Sequence, residues 1–349
     1  MDVQGNTEGA VVRKTLIVLL LVGLALLLVP LSGTLLLIFS AILIAVLIRS
    51  AAAPFRMLGI PETPAVLLGV LAIFAVLYLV GWLFGAQLGQ EFSNVAAQLP
   101  SAIDSARDWL RQQPWGQSLS LASLDLQSYF GRAVSFAFGA VGVITNLVLV
   151  VIGAIYFALQ PGLYVRGAER LFPKEQGPRV VDALNASGVA LQKYLLGQLF
   201  TMTVVGSLVA IGLTFVGLPS AGALGVIVGV ANFIPLVGPV IGAIPGILLA
   251  FAQGPDALIA ASLVYLVAQQ AEGNVLTPLV QRWAVSIPPA LLLFALGALG
   301  SLFGILGILL AAPLAVVLYT LVTMLWSRDA LGYDVRVPGR RRSRGDDGG

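Results

Sequence analysis

The sequence predicts an all-α polytopic membrane protein of about eight membrane segments, including broken or re-entrant helices rich in glycine and proline. Three observations carry this. Apolar residues make up 58% of the 349 and charged residues 10%, far from the mix of a soluble domain. The charges are confined: from Tyr194 to Ser327 the only ones are Asp256, Glu272 and Arg282, so several spans lie there. The stretch "NFIPLVGPVIGAIPGI", Asn232 to Ile247, is nearly all apolar yet holds three prolines, three glycines and one asparagine. A lipid-facing helix does not tolerate so many breakers.

In chain order the apolar runs are Leu16–Val29, Leu35–Ile48, Ala65–Leu88, Ala133–Leu159, Leu195–Val216, Ala221–Phe251, Ala257–Ala271 and Ile287–Trp326. The first follows Arg13 and Lys14 like a signal peptide, but no small-residue cleavage site follows it. It therefore reads as a retained span, short like the second. Ala221–Phe251 and Ile287–Trp326 are too long for one simple span, and each is a broken helix, a hairpin, or a span with a re-entrant piece. Basic residues flank the first, second and fourth runs: Arg13 and Lys14, Arg49 and Arg56, then Arg166, Arg170, Lys174, Arg179 and Lys193. All three flanks are expected to be cytoplasmic, which puts both termini inside.

Between the third and fourth runs, Phe92, Val95, Ala96, Leu99, Ile103, Ala106 and Leu110 recur at helical spacing, with Asp104, Arg107, Asp108 and Arg111 on other faces. This predicts an amphipathic helix broken near Pro100, lying on the membrane or covering its own bundle, or else offering a partner surface. Val181, Leu184, Gly188, Leu191 and Leu195 repeat the pattern in an interfacial helix that leads into the fifth span. The chain divides into N-terminal membrane helices (1–88), an extracytoplasmic helical insert (89–132), a fourth span (133–159), a cytoplasmic amphipathic segment (160–194), a C-terminal core of broken helices (195–326) and a disordered basic cytoplasmic tail (327–349). The tail's "RRRSR", Arg340 to Arg344, suits anionic lipid headgroups better than nucleic acid.

With no cysteine and no histidine in the chain, a Ser-His pair, a thiol nucleophile, a disulfide framework and His-ligated zinc are all excluded. An enzyme is not expected, nor is a metal or cofactor. No phosphate-cradling loop supports ATP-driven work. The repeated polar rings of a channel are absent.

The breakers Pro235, Gly238, Pro239, Gly242 and Pro245 suit a discontinuous helix, in which freed carbonyls and half-helix ends supply polar groups at membrane depth. Close helix packing through the small-xxx-small pairs Gly225/Gly229, Gly238/Gly242, Gly242/Gly246 and Gly300/Gly304 accounts for the same spacing. Glu272 sits in "QQAEGNVLTP" near Gln269, Gln270 and Asn274, just before Pro278. An ionisable residue at membrane depth is a functional candidate, although an interfacial carboxylate paired with Arg282 fits as well. Asn232 hydrogen-bonds a solute or caps a half-helix. Asn146 and Gln198 read as helix bridges, and Asp256 in "QGPDA" as a turn and helix start.

"ANFIPLVGPVIGAIPGILLAF", "QQAEGNVLTPLV" and "SLFGILGILLAAPLAVVL", in that order, together with "YLLGQL" at Tyr194 to Leu199, resemble the hallmark segments of the autoinducer-2 exporter family of bacterial membrane proteins. Two departures stand out: "SIPP", Ser286 to Pro289, lacks the histidine often found there, and "GIPET", Gly59 to Thr63, lacks a basic residue. The resemblance implies a multi-pass secondary transporter of the bacterial inner membrane. It also implies export of a small polar solute such as an autoinducer-2-like signal, with monovalent cation/proton antiport as the alternative, and a homo-oligomer, a ring of five. The implied pathway is lined by Asn232, Pro235, Gly238, Pro239, Gly242, Pro245, Gln269, Gln270, Glu272, Asn274 and Pro278.

Overall fold

The computed structural model describes residues 5–112, 140–285 and 287–333. They are helical throughout, without a strand among them.

The first two apolar runs do not form two spans. Gly5–Met57 is one helix, α1, about 80 Å long. Each run is only about 21 Å long by itself, short of the hydrocarbon core, and a continuous helix satisfies every backbone group except those Pro30 disturbs. Arg13 and Arg49 therefore lie about 54 Å apart along one helix axis.

The second helix, α2, runs from Glu62 to Gln112 and continues through Pro100, so the expected break is not there. Val95 and Leu99 before the proline, and Ala102 and Ile103 after it, are all buried, and packing on both sides holds the helix continuous through the missing bond. Val95 and Ala102 belong to the largest core cluster, so this half of the predicted insert covers its own bundle; residues 113–132 lie outside the described residues.

Helix α3, Ala140–Leu159, meets the short α4, Pro161–Glu169, at an 82° bend. Pro161 starts the new helix where its missing N–H is harmless. At this end Arg49 of α1 donates to the Ala158 carbonyl at 2.9 Å and pairs with Glu62 at 2.8 Å, joining the ends of α1 and α3 to the start of α2. We call it the basic end.

Helix α5, Gly177–Val216, fuses the predicted interfacial helix with the fifth span and stops at Gly217, whose φ of 77° only glycine adopts readily. Next come α6, Ala221–Ala231, and α7, Gly238–Gln253, about 16 and 24 Å long and too short to cross singly. Helix α8, Pro255–Ala271, passes through a π-helical turn, Glu272–Leu276, into α9, Thr277–Trp283.

The last helix, α10, Pro289–Leu321, folds at Gly304 (φ 62°, ψ −143°). Gly300 packs on Ile308, and Gly307 on the Leu299 carbonyl; a straight helix would hold such pairs about 12 Å apart. Gly300/Gly304 is therefore the corner of a hairpin and not a packing pair between helices. By length and apolar character four described helices can cross a membrane, or five with the bent α3–α4 pair. The fold is an all-α polytopic membrane protein with bent helices.

Candidate functional site

The breaker-rich stretch of 232–247 folds as a helical hairpin. Helices α6 and α7 pack antiparallel, with Gly242 against Val228 and Ala231, and Gly238 against the Ala231 carbonyl. Between them the chain turns over residues 232–237, with Leu236 held at φ 71°. Pro235 lies in this turn, Pro239 in the first turn of α7, and Pro245 is buried inside α7. On its other side α6 lies on α5 through glycine: a Cβ on Gly225 would sit 2.5 Å from the Gly206 carbonyl, and one on Gly229 2.9 Å from that of Met202. The broken helix and the small-residue packing thus occur together, because only a glycine surface lets two short half-helices lie against α5.

As α6 advances from Gly225 to Asn232 it meets α5 at Gly206, Met202 and then Gln198, so it runs back toward the basic end. The second half of α10 also runs antiparallel to α5, Leu310 clustering with Leu191 and Leu195, and Met324 with Ala183 and Ala186. The two hairpins therefore enter from opposite ends. Phe233 at the tip of the first and Phe303 at the tip of the second pack against one cluster of Leu36, Leu43, Leu191, Leu195 and Leu310.

Beside these tips the helix of Glu272 is disturbed. The Thr277 N–H donates to the Glu272 carbonyl, five residues back, and Pro278 has no N–H. The Gly273 carbonyl thus loses both its ordinary donor and the next one along the helix. The wider turn gives the Pro278 ring room, and π turns of this kind recur at functional sites.

Asn232 is fully buried at 0% exposure, and neither side-chain atom has a hydrogen-bond partner. Its amide faces the Glu272 carboxyl, but not in bonding geometry, and Glu272 Oε2 is also unpartnered. The Asn232 carbonyl accepts from Gln198 Nε2 at 2.5 Å. Buried polar atoms are normally bonded, and leaving one unpaired costs about 1–3 kcal/mol. Asn232 and Glu272 thus bring three unpaired polar atoms to the tip of the first hairpin. Two more orphaned hydroxyls lie nearby in the fold, Tyr194 on α5 and Tyr265 on α8.

A cavity of about 270 Å³ opens between α5, α6, α7 and α8, and its lining includes Pro239, Ser262, Tyr265 and Gln269. Of the residues singled out in the sequence, the structure brings Asn232 and Glu272 together at the tip of the first hairpin, beside Pro235 and Gly238, and places Pro239 and Gln269 on the cavity wall. Gly242 and Pro245 are buried in α7 as packing surface. Gln270, Asn274 and Pro278 lie on the exposed side of their helix. Asp256 sits exposed in the first turn of α8, Asn146 is exposed on α3, and the Arg282 side chain and Ser286 are outside the described residues. Gln198, read as a bridge, secures the Asn232 backbone, and Tyr194 drew no attention, since an aromatic in an apolar helix carries no signal of an unpaired hydroxyl.

The family model described as AI-2E family transporter matches residues 16–326. Among curated proteins, "Putative transport protein YueF" of Bacillus subtilis is 27% identical over 68% of this chain and 70% of its own. "Putative transport protein MT0215" of Mycobacterium tuberculosis is 30% identical over 73% of each chain. "Putative transport protein YrrI" of Bacillus subtilis is 34% identical over 42% of each.

Proposed function

Because the chain belongs to the AI-2E family of membrane transporters, we propose that it is a gradient-driven carrier exporting a small polar organic solute of the autoinducer-2 kind, along a path between the tips of its two hairpins. The observation that carries this reading is the buried, unpartnered Asn232 side chain facing Glu272. A solute hydroxyl supplies the bonds these groups lack, and hairpins entering from opposite ends can open the site to either face in turn. The apolar cavity with Tyr265 and Gln269 on its wall suits a small molecule held by few polar contacts.

The second reading, monovalent cation/proton antiport, is favoured by one observation. Glu272 Oε2 and Asn232 Oδ1 are both unpartnered and on adjoining side chains, and hard cations take such oxygen ligands. Thermal unfolding of the purified protein against a panel of polyols and of sodium and potassium salts separates the two, since a ligand of the folded state stabilises it by mass action. Stabilisation by a polyol that Asn232→Ala abolishes supports the first reading. Stabilisation by cations alone replaces it with the second. No response from either panel overturns both.

The reading extends to orientation and assembly. The basic end faces the cytoplasm of a bacterial inner membrane, and the basic C-terminal tail, expected on the same side, lies outside the described residues past 333. Leu71, Phe74, Tyr78 and Trp82 on one face of α2 and Val76, Leu79, Val80 and Leu83 on the other are all exposed, a helix surface for lipid and for neighbouring copies in a ring of five. A monomeric mass in mild detergent counts against the ring.

A further inference from the structure

The first hairpin is pinned at both ends, each time by one polar side chain from a different neighbouring helix. At the tip the pin is Gln198 on the Asn232 carbonyl. At the other end it is Glu91 of α2, whose Oε2 accepts from the Ala223 N–H of α6 at 2.7 Å while Gln87 Nε2 donates to its Oε1 at 3.0 Å. The carboxylate meets the positive end of α6 from a residue 132 positions away in sequence. Nothing else serves that helix start: its N-cap, Ser220, makes no side-chain cap bond, and α6, α7 and the apolar half of α5 carry no charged residue. Glu91 lies about 44 Å along α2 from Glu62, at the far side of the bilayer from the basic end.

The unit between these pins is set off by its backbone. At its seam with α5, Gly206 lies against Gly225 and Gly229, with Val205 and Val209 packed beside Ala223, Leu224 and Val228. Left-handed residues stand on both sides of α6: Gly217 and Ser220 before it, Leu236 after it. Helix α2 also runs between two packed clusters. Gly69 lies 2.9 Å, in terms of an added Cβ, from the α1 backbone at Ile48 and Ala52, Val95 and Ala102 lie in the α5–α8 core, and no residue from 71 to 90 is buried.

We propose that Glu91 is a positioning residue of the transport cycle: its bond to the start of α6 is the outer latch of the first hairpin, made in the state seen here and broken when the hairpin withdraws to uncover Asn232 and Glu272. The proposal rests on the carrier reading above, and its test is independent of any solute.

Amide hydrogen exchange of the full-length protein in nanodiscs reads hairpin opening directly. Glu91→Ala is expected to speed exchange at the tip, residues 232–237, by about five- to thirtyfold, the change in an opening equilibrium that loss of a helix cap brings. Glu91→Gln keeps an acceptor and is expected to stay much closer to wild type. The chain has no cysteine, so Glu91→Cys with Gly222→Cys, whose Cβ would point at the carboxylate, can be bridged by a short bifunctional thiosulfonate. The bridge is expected to slow tip exchange below wild type until reductant releases it, and this arm stands even if Glu91→Ala does not fold. Faster exchange confined to residues 222–224, or a tip that ignores the bridge, reduces Glu91 to a structural cap and overturns the proposal. A missing solute response beside intact latch behaviour faults the carrier reading alone.

Discussion

Gln198 Nε2 donates a 2.5 Å hydrogen bond to the backbone carbonyl of Asn232, fixing the residue with the most thoroughly orphaned buried side chain in the described structure to the middle of α5. The bond spans 34 residues of sequence and closes the end of α6, where carbonyls have no helical donor. Gln198→Leu keeps the bulk and removes the donor. We expect a loss of about 1–3 kcal/mol in stability from the unpaired carbonyl, measured by denaturation in mild detergent, and loss of the ligand-induced thermal shift, while expression in the membrane stays near wild type.

Gly238→Ala drives a Cβ into the Ala231 carbonyl at the throat of the hairpin, and is expected to destabilise by about 1–3 kcal/mol. Gly81→Ala in α2, where an added Cβ meets nothing within 4 Å, is the control. There the helix gains about 0.5–1 kcal/mol. Thermal unfolding of the two variants side by side checks the contrast.

Pro278→Ala restores an N–H at the end of the π turn. The turn can then relax toward an ordinary α-helix, which rotates Glu272 away from Asn232 without removing either residue. Expected are unchanged or improved stability and a ligand affinity reduced by at least about tenfold, or 1.4 kcal/mol. Full affinity in this variant would mean that the π geometry is incidental.

Glu272→Gln keeps the shape of the side chain and removes its proton. If transport is proton-coupled, the variant loses accumulation driven by a pH gradient yet still exchanges solute between equal pools. If the solute is neutral and uncoupled, glutamine is tolerated better than alanine at every pH.

Asp329, just past the last apolar segment, accepts from Arg328 Nε at 2.7 Å, and that bond holds its carboxyl below the ordinary aspartate range. Asp182 of α5 shares the same guanidinium at 3.2 Å. A carboxyl lowered in the folded state lends stability above the unfolded value of about 4 and loses it as pH falls through the lowered one. Arg328→Gln is expected to cost under about 1 kcal/mol, because the pair is partly exposed. The gap in Tm from wild type should narrow in acid.

Much of this was legible in the sequence, because lipid makes backbone bonding obligatory. Three prolines and three glycines in Asn232 to Ile247 suited a broken element and close glycine packing alike, and the fold has both. The elements that escaped depended on what surrounds them. Pro30 and Pro100 look like breaks, yet α1 and α2 run through both. Gly304 was one small residue among several until its φ of 62° made it a corner. Pro278 announced a disturbed ladder without saying that Glu272 would supply the acceptor. Gln198 read as a helix bridge but without its partner, since that is a carbonyl 34 residues away.

The shortness of α6 and α7 also bears on how the chain is made. At 11 and 16 residues, neither half can be held across a bilayer by its own apolar length, and the polar groups of the turn find partners only on α5 and beside the π turn. A ribosome delivers α5 before the hairpin and α8 after it, so the hairpin emerges before the surface that completes its surroundings. Membrane insertion and final placement are therefore separate events for this segment. Its settling waits for the arrival of Glu272, and a chain truncated after Gln253 should leave the turn around Asn232 uncovered, open to the quality-control proteases that clear unfinished membrane proteins.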